Sequence, residues 1–349
     1  MCKRVSMEEI QQPSYKEYTS AVIKDLSHDT VKIKETKKLA GLPTEILALR
    51  DKAFGIEGKF INMVKDFYNA GFHIEISQNS NVEKPIVIDY ITNEQNDTLI
   101  DYNIIEAEAN SQVTIVFDYN SGTKGFHNGI TQVIAKEGST VNIVKIQRLG
   151  DEFNDFDNNL VIVGKNAMVN WSNVVIGSKV SAFDVAVYLD EVGGTFTSKS
   201  IFLGVDSQKY DMAYKVYHQA PKTTSSVDLK GALKGSAKAT FIGNIDIKKG
   251  AKKAKAEENE TVLLLDKTVK SVAIPALYCG EDDVQANHSA SAGQIDEDKL
   301  YYVMSRGFSL EEARLLMVQA ILNPVIDLIP YDPVREIIIK GHIGRRIIK

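Results

Sequence analysis

Through the middle of the chain a turn residue returns at a fixed interval, each time opening a short run of alternating apolar positions. Asn110-Ser111-Gln112-Val113-Thr114-Ile115, Gly138-Ser139-Thr140-Val141-Asn142-Ile143 and Asn166-Ala167-Met168-Val169-Asn170-Trp171 begin 28 residues apart. Gly193-Gly194-Thr195-Phe196 follows 27 residues on, and Gly250-Ala251 repeats the turn chemistry later. A period of this length, built from Val/Ile-rich runs with no strong helical pattern, marks a solenoid. Each coil buries its apolar face only by stacking on the next, so the chain is predicted to be mainly β, a right-handed parallel β-helix. A β-sandwich is the alternative that the same strands and turns allow.

The repeat belongs to a core assigned to residues 71–294, and the flanks read differently. Residues 1–70 are expected to form a helical N-terminal region. Within it, 31–40 is lysine-rich with few apolar positions, at best a solvated helix, and Gly41-Leu42-Pro43 breaks it. Thr44 is placed to cap a helix carrying Ile46, Leu47 and Leu49, and Phe60, Ile61, Val64, Phe67 and Tyr68 recur at helical spacing. Asn69-Ala70-Gly71 hands over to strands, while 1–29 shows no strong pattern and reads as a loose arm.

Residues 295–349 are assigned to a C-terminal helical region. Asp296 is an N-cap for a helix reaching Arg306, which Gly307 ends in the left-handed conformation that glycine adopts cheaply. Ser309 and Glu312 have capping-box spacing for a second helix, whose Ala313, Leu316, Met317, Ala320 and Ile321 fall on one face. That face must be buried against something.

Composition excludes several classes. The net charge of −5 over 349 residues speaks against a dedicated nucleic-acid binder, whose affinity comes largely from basic surface. Met1-Cys2-Lys3-Arg4 leads into a polar segment rather than a secretory signal, and no stretch suits a bilayer span, so a cytoplasmic protein without membrane partners is expected. With Cys2 and Cys279 as the only cysteines, neither a disulfide framework nor a self-contained zinc or permanent iron–sulfur site is credible.

Residues 281–312 carry a resemblance. Asp282, Asp283, Val284, His288, Ala290, Gly293, Asp296, Leu300, Tyr302, Ser305, Arg306 and Gly307 match the pattern D-D-V-x-C-x-H-x-A-x-x-G-x-L-D-x-x-x-L-x-Y-x-x-S-R-G. His218-Gln219-Ala220-Pro221-Lys222-Thr223-Thr224-Ser225, Lys230-Gly231, Phe241, Gly243, Gly250-Ala251 and Leu263-Leu264-Leu265 supply a second ordered block, and Val82-Glu83-Lys84-Pro85-Ile86 a weaker third. Over residues 71–327 the chain thus resembles the SufB/SufD proteins of the SUF iron–sulfur cluster assembly system, and its details are closer to SufD. The resemblance implies a β-helix that is not itself an enzyme, pairs with a second SufB/SufD-type chain, and holds a SufC-type ABC ATPase on its C-terminal helices. ATP would be bound by that partner, since no G-x-x-x-x-G-K-[ST] loop occurs here. An iron–sulfur cluster or iron would be held only transiently and shared.

The departures matter as well. The position two before His288 is Ala286, where SufD-like members often carry cysteine, and the cysteine of SufB-like scaffolds falls near Glu260. The glutamate that follows the histidine in SufB-like members is Ser289. The chain is therefore expected to be SufD-like or a reduced SufB/SufD form, relying on carboxylates and His288.

Each candidate has a plain reading beside the functional one. His288 is a metal ligand or proton acceptor by chemistry, a structural hydrogen-bonding group otherwise. Cys279, among Ala276, Leu277 and Tyr278, reads as a small buried hydrophobe rather than a thiolate. Glu281, Asp282 and Asp283 offer oxygen ligands but read more simply as a solvated turn; Glu257, Glu258 and Glu260 follow the same logic, with Lys252, Lys253 and Lys255 as surface partners. His218 and Thr223-Thr224-Ser225 suit a coil corner better than an anion site. Met304, Arg306, Gly307 and Phe308 are the expected ATPase-docking residues, against the plain reading that the hairpin caps the open end of the solenoid. The tail 337–349 reads as a flexible end or partner contact before a membrane contact. Two rival functions remain, an inert structural adaptor and a carbohydrate-active β-helix, the latter lacking a spaced acid pair on successive coils.

Overall fold

The computed structural model describes residues 13, 16–24, 29–39, 41–49, 51–330 and 332–348. Cys2, Ala40, Lys349 and much of the expected N-terminal arm lie outside the described residues. The recurring turn residue is a coil corner. Asn79, Asn110, Gly138, Asn166, Gly193, Lys222 and Lys253 all have left-handed backbone, with φ between 51° and 76°, a conformation that glycine and asparagine tolerate best. Each corner N–H donates to a carbonyl of the next coil, as from Asn110 to Glu137 at 2.9 Å, Gly138 to Lys165 at 2.9 Å and Asn166 to Val192 at 3.0 Å. Asn110 stacks on Asn79, donating from Nδ2 to its Oδ1 at 3.1 Å; from Asn110 to Gly193 asparagine and glycine alternate, and a Cβ on Gly138 would lie 2.4 Å from Asn110 Oδ1, one on Gly193 2.3 Å from Asn166 Oδ1. The lysine corners at 222 and 253 were invisible in the sequence because lysine is no turn signal. Gly250, read as the repeat's later turn, also has positive φ, but it precedes the stacked corner at Lys253.

Between corners the chain alternates between two nine-stranded sheets, each strand from Phe72–Ile76 onward pairing with the strand two places on. Within the coils the pairing is parallel, which makes the architecture a parallel β-solenoid and rules out the sandwich. Register is kept from coil to coil, so Val113, Val141, Val169 and Phe196 stack in one inward column. These side chains belong to the main buried core.

The N-terminal region is not wholly helical. Residues 31–40, expected as a solvated helix, instead give strand Val31–Glu35 and the short 3-10 turn Thr36–Lys38. Val-Lys-Ile-Lys-Glu alternates with period two, and pairing with Phe72–Ile76 gives its apolar side a surface to cover. Strand Ala21–Lys24 pairs likewise with Ile86–Thr92, both additions being antiparallel. Helix Thr44–Ala48 follows Pro43 with no side-chain cap, so Thr44 lies inside it rather than capping it. Helix Gly58–Phe67 buries Phe60, Ile61, Met63 and Val64 against one sheet, Phe60 stacking on Phe156 at 4.2 Å, while Phe67 is exposed.

At the C-terminus, helices Glu297–Ser305 and Leu310–Ile326 start as the sequence predicts. The Asp296 carboxylate accepts from the N–H groups of Asp298 and Lys299, and the Ser309–Glu312 capping box is complete. The buried side of the second helix differs from expectation, being Ala313, Val318, Leu322, Val325 and Ile326, with Leu316 exposed. Leu315, Leu316, Met317 and Ile321 make this helix apolar nearly all round, so its periodicity points to no single face. Its location differs too. Val318, Leu322, Val325 and Ile326, with Ile338, Ile343 and Ile347 of the tail, pack on Val116, Ile146, Val174, Ile201, Leu203 and Leu263. The second helix therefore covers the side of the solenoid instead of capping its open end, and the tail through residue 348 is docked rather than free. Arg346 pairs with Asp151, and Lys234 Nζ donates to the Ile347 carbonyl at 2.7 Å. Among the described residues no helix is long and apolar enough to cross a membrane.

Candidate functional site

The last two coils bring together residues that the sequence separates by about one repeat. In strand Lys255–Leu264 alternate residues face inward, so Ala256, Glu258, Glu260 and Val262 are buried, with both glutamates only 3% exposed. This overturns the reading of these acids as a solvated turn. Only Glu257 keeps to the surface, where it accepts from Asn259 Nδ2 at 2.9 Å. Period-two alternation in a strand carries Glu258 and Glu260 inside regardless of their polarity.

Gly243, on the facing sheet, makes room for them. A Cβ there would come within 1.8 Å of Glu258 Oε1. No ion pair to either glutamate exists among the described residues, and Glu260 Oε1 is buried without a hydrogen-bond partner. Burial pushes the Glu260 carboxyl up to about 7, and burial together with the neighbouring Glu260 does the same to Glu258. Near neutral pH the pair is thus poised between acid and carboxylate.

Strand Gln285–Gln294 forms the end of this sheet, in register with the glutamate strand: His288 lies opposite Glu258, and Ala290 opposite Glu260. Among the described residues no further strand pairs beyond it, and His288 is exposed. Cys279 closes the end strand of the other sheet and is exposed too, its thiol donating to the Glu281 carbonyl at 3.2 Å. The expectation of a buried cysteine fails because an end strand has no coil beyond it to bury a small side chain. Glu281 sits at the corner, where its carboxylate accepts from Gly250 N–H at 3.0 Å and Asp282 N–H at 3.1 Å. These backbone bonds, that from Gly250 foremost, hold it below the usual carboxylate range.

The fold therefore sets His288 opposite Glu258 and Glu260 opposite Ala290 on adjacent strands, and leaves Glu281 occupied in a turn. Glu258, read in the sequence as solvated, is the partner directly beneath His288; strict alternation with Glu260 would have found it. Among the described residues no group of three or more His, Cys, Asp or Glu is arranged to hold a metal ion. This end places carboxyl groups inside, an imidazole at the rim, and, among the described residues, strands without a further neighbour on both sheets.

The residues expected to dock a partner form a separate surface. Helix Glu297–Ser305 buries no side chain, and Tyr301 is 74% and Phe308 44% exposed, with Tyr302 and Met304 beside them. Arg306 lies over the Tyr302 ring at 5.1 Å and donates through Nη2 to its hydroxyl at 3.0 Å. Gly307, at φ 99°, makes the reversal that sets this helix against the next.

Inside the middle coils lies a buried ionic layer that the sequence did not reveal. His127 is clamped between Asp101 and Asp155, its Nε2 and Nδ1 each 2.6 Å from a carboxylate oxygen. Burial alone would lower its pKa, but the two aspartates overcome this and lift it to about 10. Lys145 Nζ donates to Asp157 at 2.7 Å and to Asn159 at 2.8 Å. His218, by contrast, is buried between the hydroxyls of Thr223 and Ser225, both at 2.8 Å, and burial brings its pKa down to about 4. It serves the coil corner.

Comparison with known proteins bears on this arrangement. Residues 90–321 match the family model for the SUF system FeS cluster assembly SufBD core domain. The iron–sulfur cluster assembly protein SufD of Bacillus subtilis is 30% identical over 77% of this chain and 62% of its own length. The SufB protein of the same organism is 25% identical over 79% of this chain and 60% of its own. A SufBD family protein of Staphylococcus epidermidis is 24% identical over the same two shares. The chain thus spans about three-fifths of the length of these relatives.

Proposed function

The chain belongs to the SufB/SufD family of the SUF iron–sulfur cluster assembly system, and from that premise we propose that it is a non-enzymatic subunit of an assembly complex. Its open end pairs with a second SufB/SufD-type chain, and its C-terminal hairpin holds a SufC-type ATPase. The observation that carries the first half is the terminal coil itself, where His288 lies on the strand that ends its sheet and the buried Glu258–Glu260 pair lies on the strand next to it. A partner laid there would supply the donors this chain lacks.

Iron or a nascent cluster is the cargo in this reading, and the chain's part is to offer ligands for it. Oxygen donors and imidazole suit iron, whereas thiolates are needed for lasting cluster ligation. With Ala286 and Glu260 where thiols would be expected, this chain's own residues hold cargo weakly and release it readily. Glu260, poised near neutrality, gives up its proton as a cation arrives. Glu281 contributes only if its turn opens.

The exposed aromatic surface of Tyr301, Tyr302, Met304 and Phe308 supports docking, since solvent-facing aromatics beside an arginine are the usual anchors of a protein interface. ATP-driven association of the motor subunits then pulls on a hairpin whose second helix is packed on the solenoid wall. Arg306→Ala with Phe308→Ala should abolish co-purification with the ATPase subunit, and undiminished recovery of the complex would remove the docking claim. His288→Ala, in a cell that depends on this pathway, should lower iron–sulfur enzyme activity. Wild-type activity there would leave the chain as a structural adaptor.

A further inference from the structure

We propose that the solenoid associates through one end only, because the strands at its N-terminal end are built to refuse a neighbour. The inference takes its picture of the opposite end from the pairing proposed above. Every sheet edge presents unpaired N–H and C=O groups to any strand that arrives, and proteins blunt such edges with short strands, lysines and irregular direction.

The two ends of this molecule treat that hazard in opposite ways. At the C-terminal end the last strands, Lys270–Cys279 and Gln285–Gln294, are ten residues each and parallel to their neighbours. Strand Gln285–Gln294 carries no Asp, Glu, Lys or Arg, and Lys270–Cys279 carries only Lys270 at its start. At the N-terminal end the last strands, Ala21–Lys24 and Val31–Glu35, are four and five residues and antiparallel to the coils beneath. Ala21, Ile23, Val31 and Ile33 pack against the core, while Lys24, Lys32 and Lys34 stand exposed on the outer side. Between these strands runs a slot of about 520 Å³ lined by Tyr18, Ile23, Ile33 and Phe72, with Lys34, Lys37 and Lys38 along it. Lys24 pairs with Asp89, and Lys37 and Lys38 pair with Glu35, so a second solenoid stacked here would have to strip water from Lys32 and Lys34 and from the charged pairs beside them, without a regular parallel edge to pair with.

The consequence concerns stoichiometry. With one edge open and one refused, two solenoids meet end to end and stop at two; with both open, head-to-tail stacking has no closure and yields filaments. The lysines at the N-terminal edge thus act as a terminator for assembly.

The test is to remove the refusal. A Lys24→Thr, Lys32→Thr, Lys34→Thr variant and the wild-type chain are compared by light-scattering mass over a concentration series, with circular dichroism as a check on folding. The variant's mass should rise to at least twice that of the wild type, whose mass levels off. Equal masses at every concentration overturn the inference. Should the triple variant misfold, Lys32→Thr with Lys34→Thr, which keeps the Lys24–Asp89 pair, is read the same way. Ser289→Lys with Ser291→Lys transplants the lysine pattern onto the open edge and tests the pairing reading separately. A wild type that stays monomeric fails that reading, yet a heavier variant beside it still upholds the N-terminal terminator.

Discussion

The solenoid buries ionisable groups in two places, and it treats them differently. In the middle coils His127 lies between Asp101 and Asp155, and Lys145 holds Asp157, so each buried cation is matched to carboxylates at 2.6–2.7 Å. Near the C-terminal end Glu258 and Glu260 are just as buried and have no cation among the described residues. Burying a charge is costly unless it is paired and hydrogen-bonded. The middle layer meets that condition and works as structure. The terminal pair does not, and escapes the cost by keeping protons, which is what a group awaiting a cation would do. Both lie in the solenoid's interior, His127 and its aspartates on one sheet and the glutamates on the other, so the difference comes from what the neighbouring strands supply.

The sharpest way to break the comparison is to remove one member of the matched layer. His127→Ala leaves Asp101 and Asp155 facing each other without a cation and should cost about 3–5 kcal/mol, read from denaturant midpoints; a loss under about 1 kcal/mol would mean the layer is not a working ion network. The unmatched pair should respond in the opposite direction. Glu258→Gln with Glu260→Gln removes two groups that resist ionisation and should stabilise the chain at pH 8 by on the order of 2 kcal/mol.

The pH windows differ as well. A carboxyl raised from 4.5 to about 7 in the fold contributes stability fully present below 4.5 and lost as pH rises through 7. His127, raised from 6.5 to about 10, contributes stability fully present below 6.5 and lost as pH rises through 10. The glutamine variant should therefore lose the first decline and keep the second, as stability measured from pH 4.5 to 10 would reveal. The smallest expected effect is at Gly243. Gly243→Ala crowds the Glu258 carboxylate and should cost about 1 kcal/mol, a loss that Glu258→Ala in the same chain should largely restore.

Much of the architecture was written locally. Asn110, Gly138, Asn166 and Gly193 announced the coil corners, because left-handed backbone restricts which residues can stand there. Asp296, Gly307 and the Ser309–Glu312 pair announced the hairpin, since caps satisfy backbone groups within a few residues. Local readings failed where a residue's surroundings come from another coil. The acids from 257 to 260 look solvated when read along the chain, yet two of them point inward once the strand is stacked. Cys279 looks buried from its apolar neighbours, yet its strand has nothing beyond it. Val31–Glu35 is too short and too basic to declare itself a strand without the sheet that it joins.

By itself, then, the sequence determined the repeat, the asparagine and glycine corners, the caps of the C-terminal helices and the family, all of which depend on residue type at fixed spacing. Only the tertiary structure decided which side chains share the interior, where the second C-terminal helix lies and which strands end the sheets. Those depend on register between strands about one repeat apart, and a one-residue change of register would turn every one of those side chains to the other face.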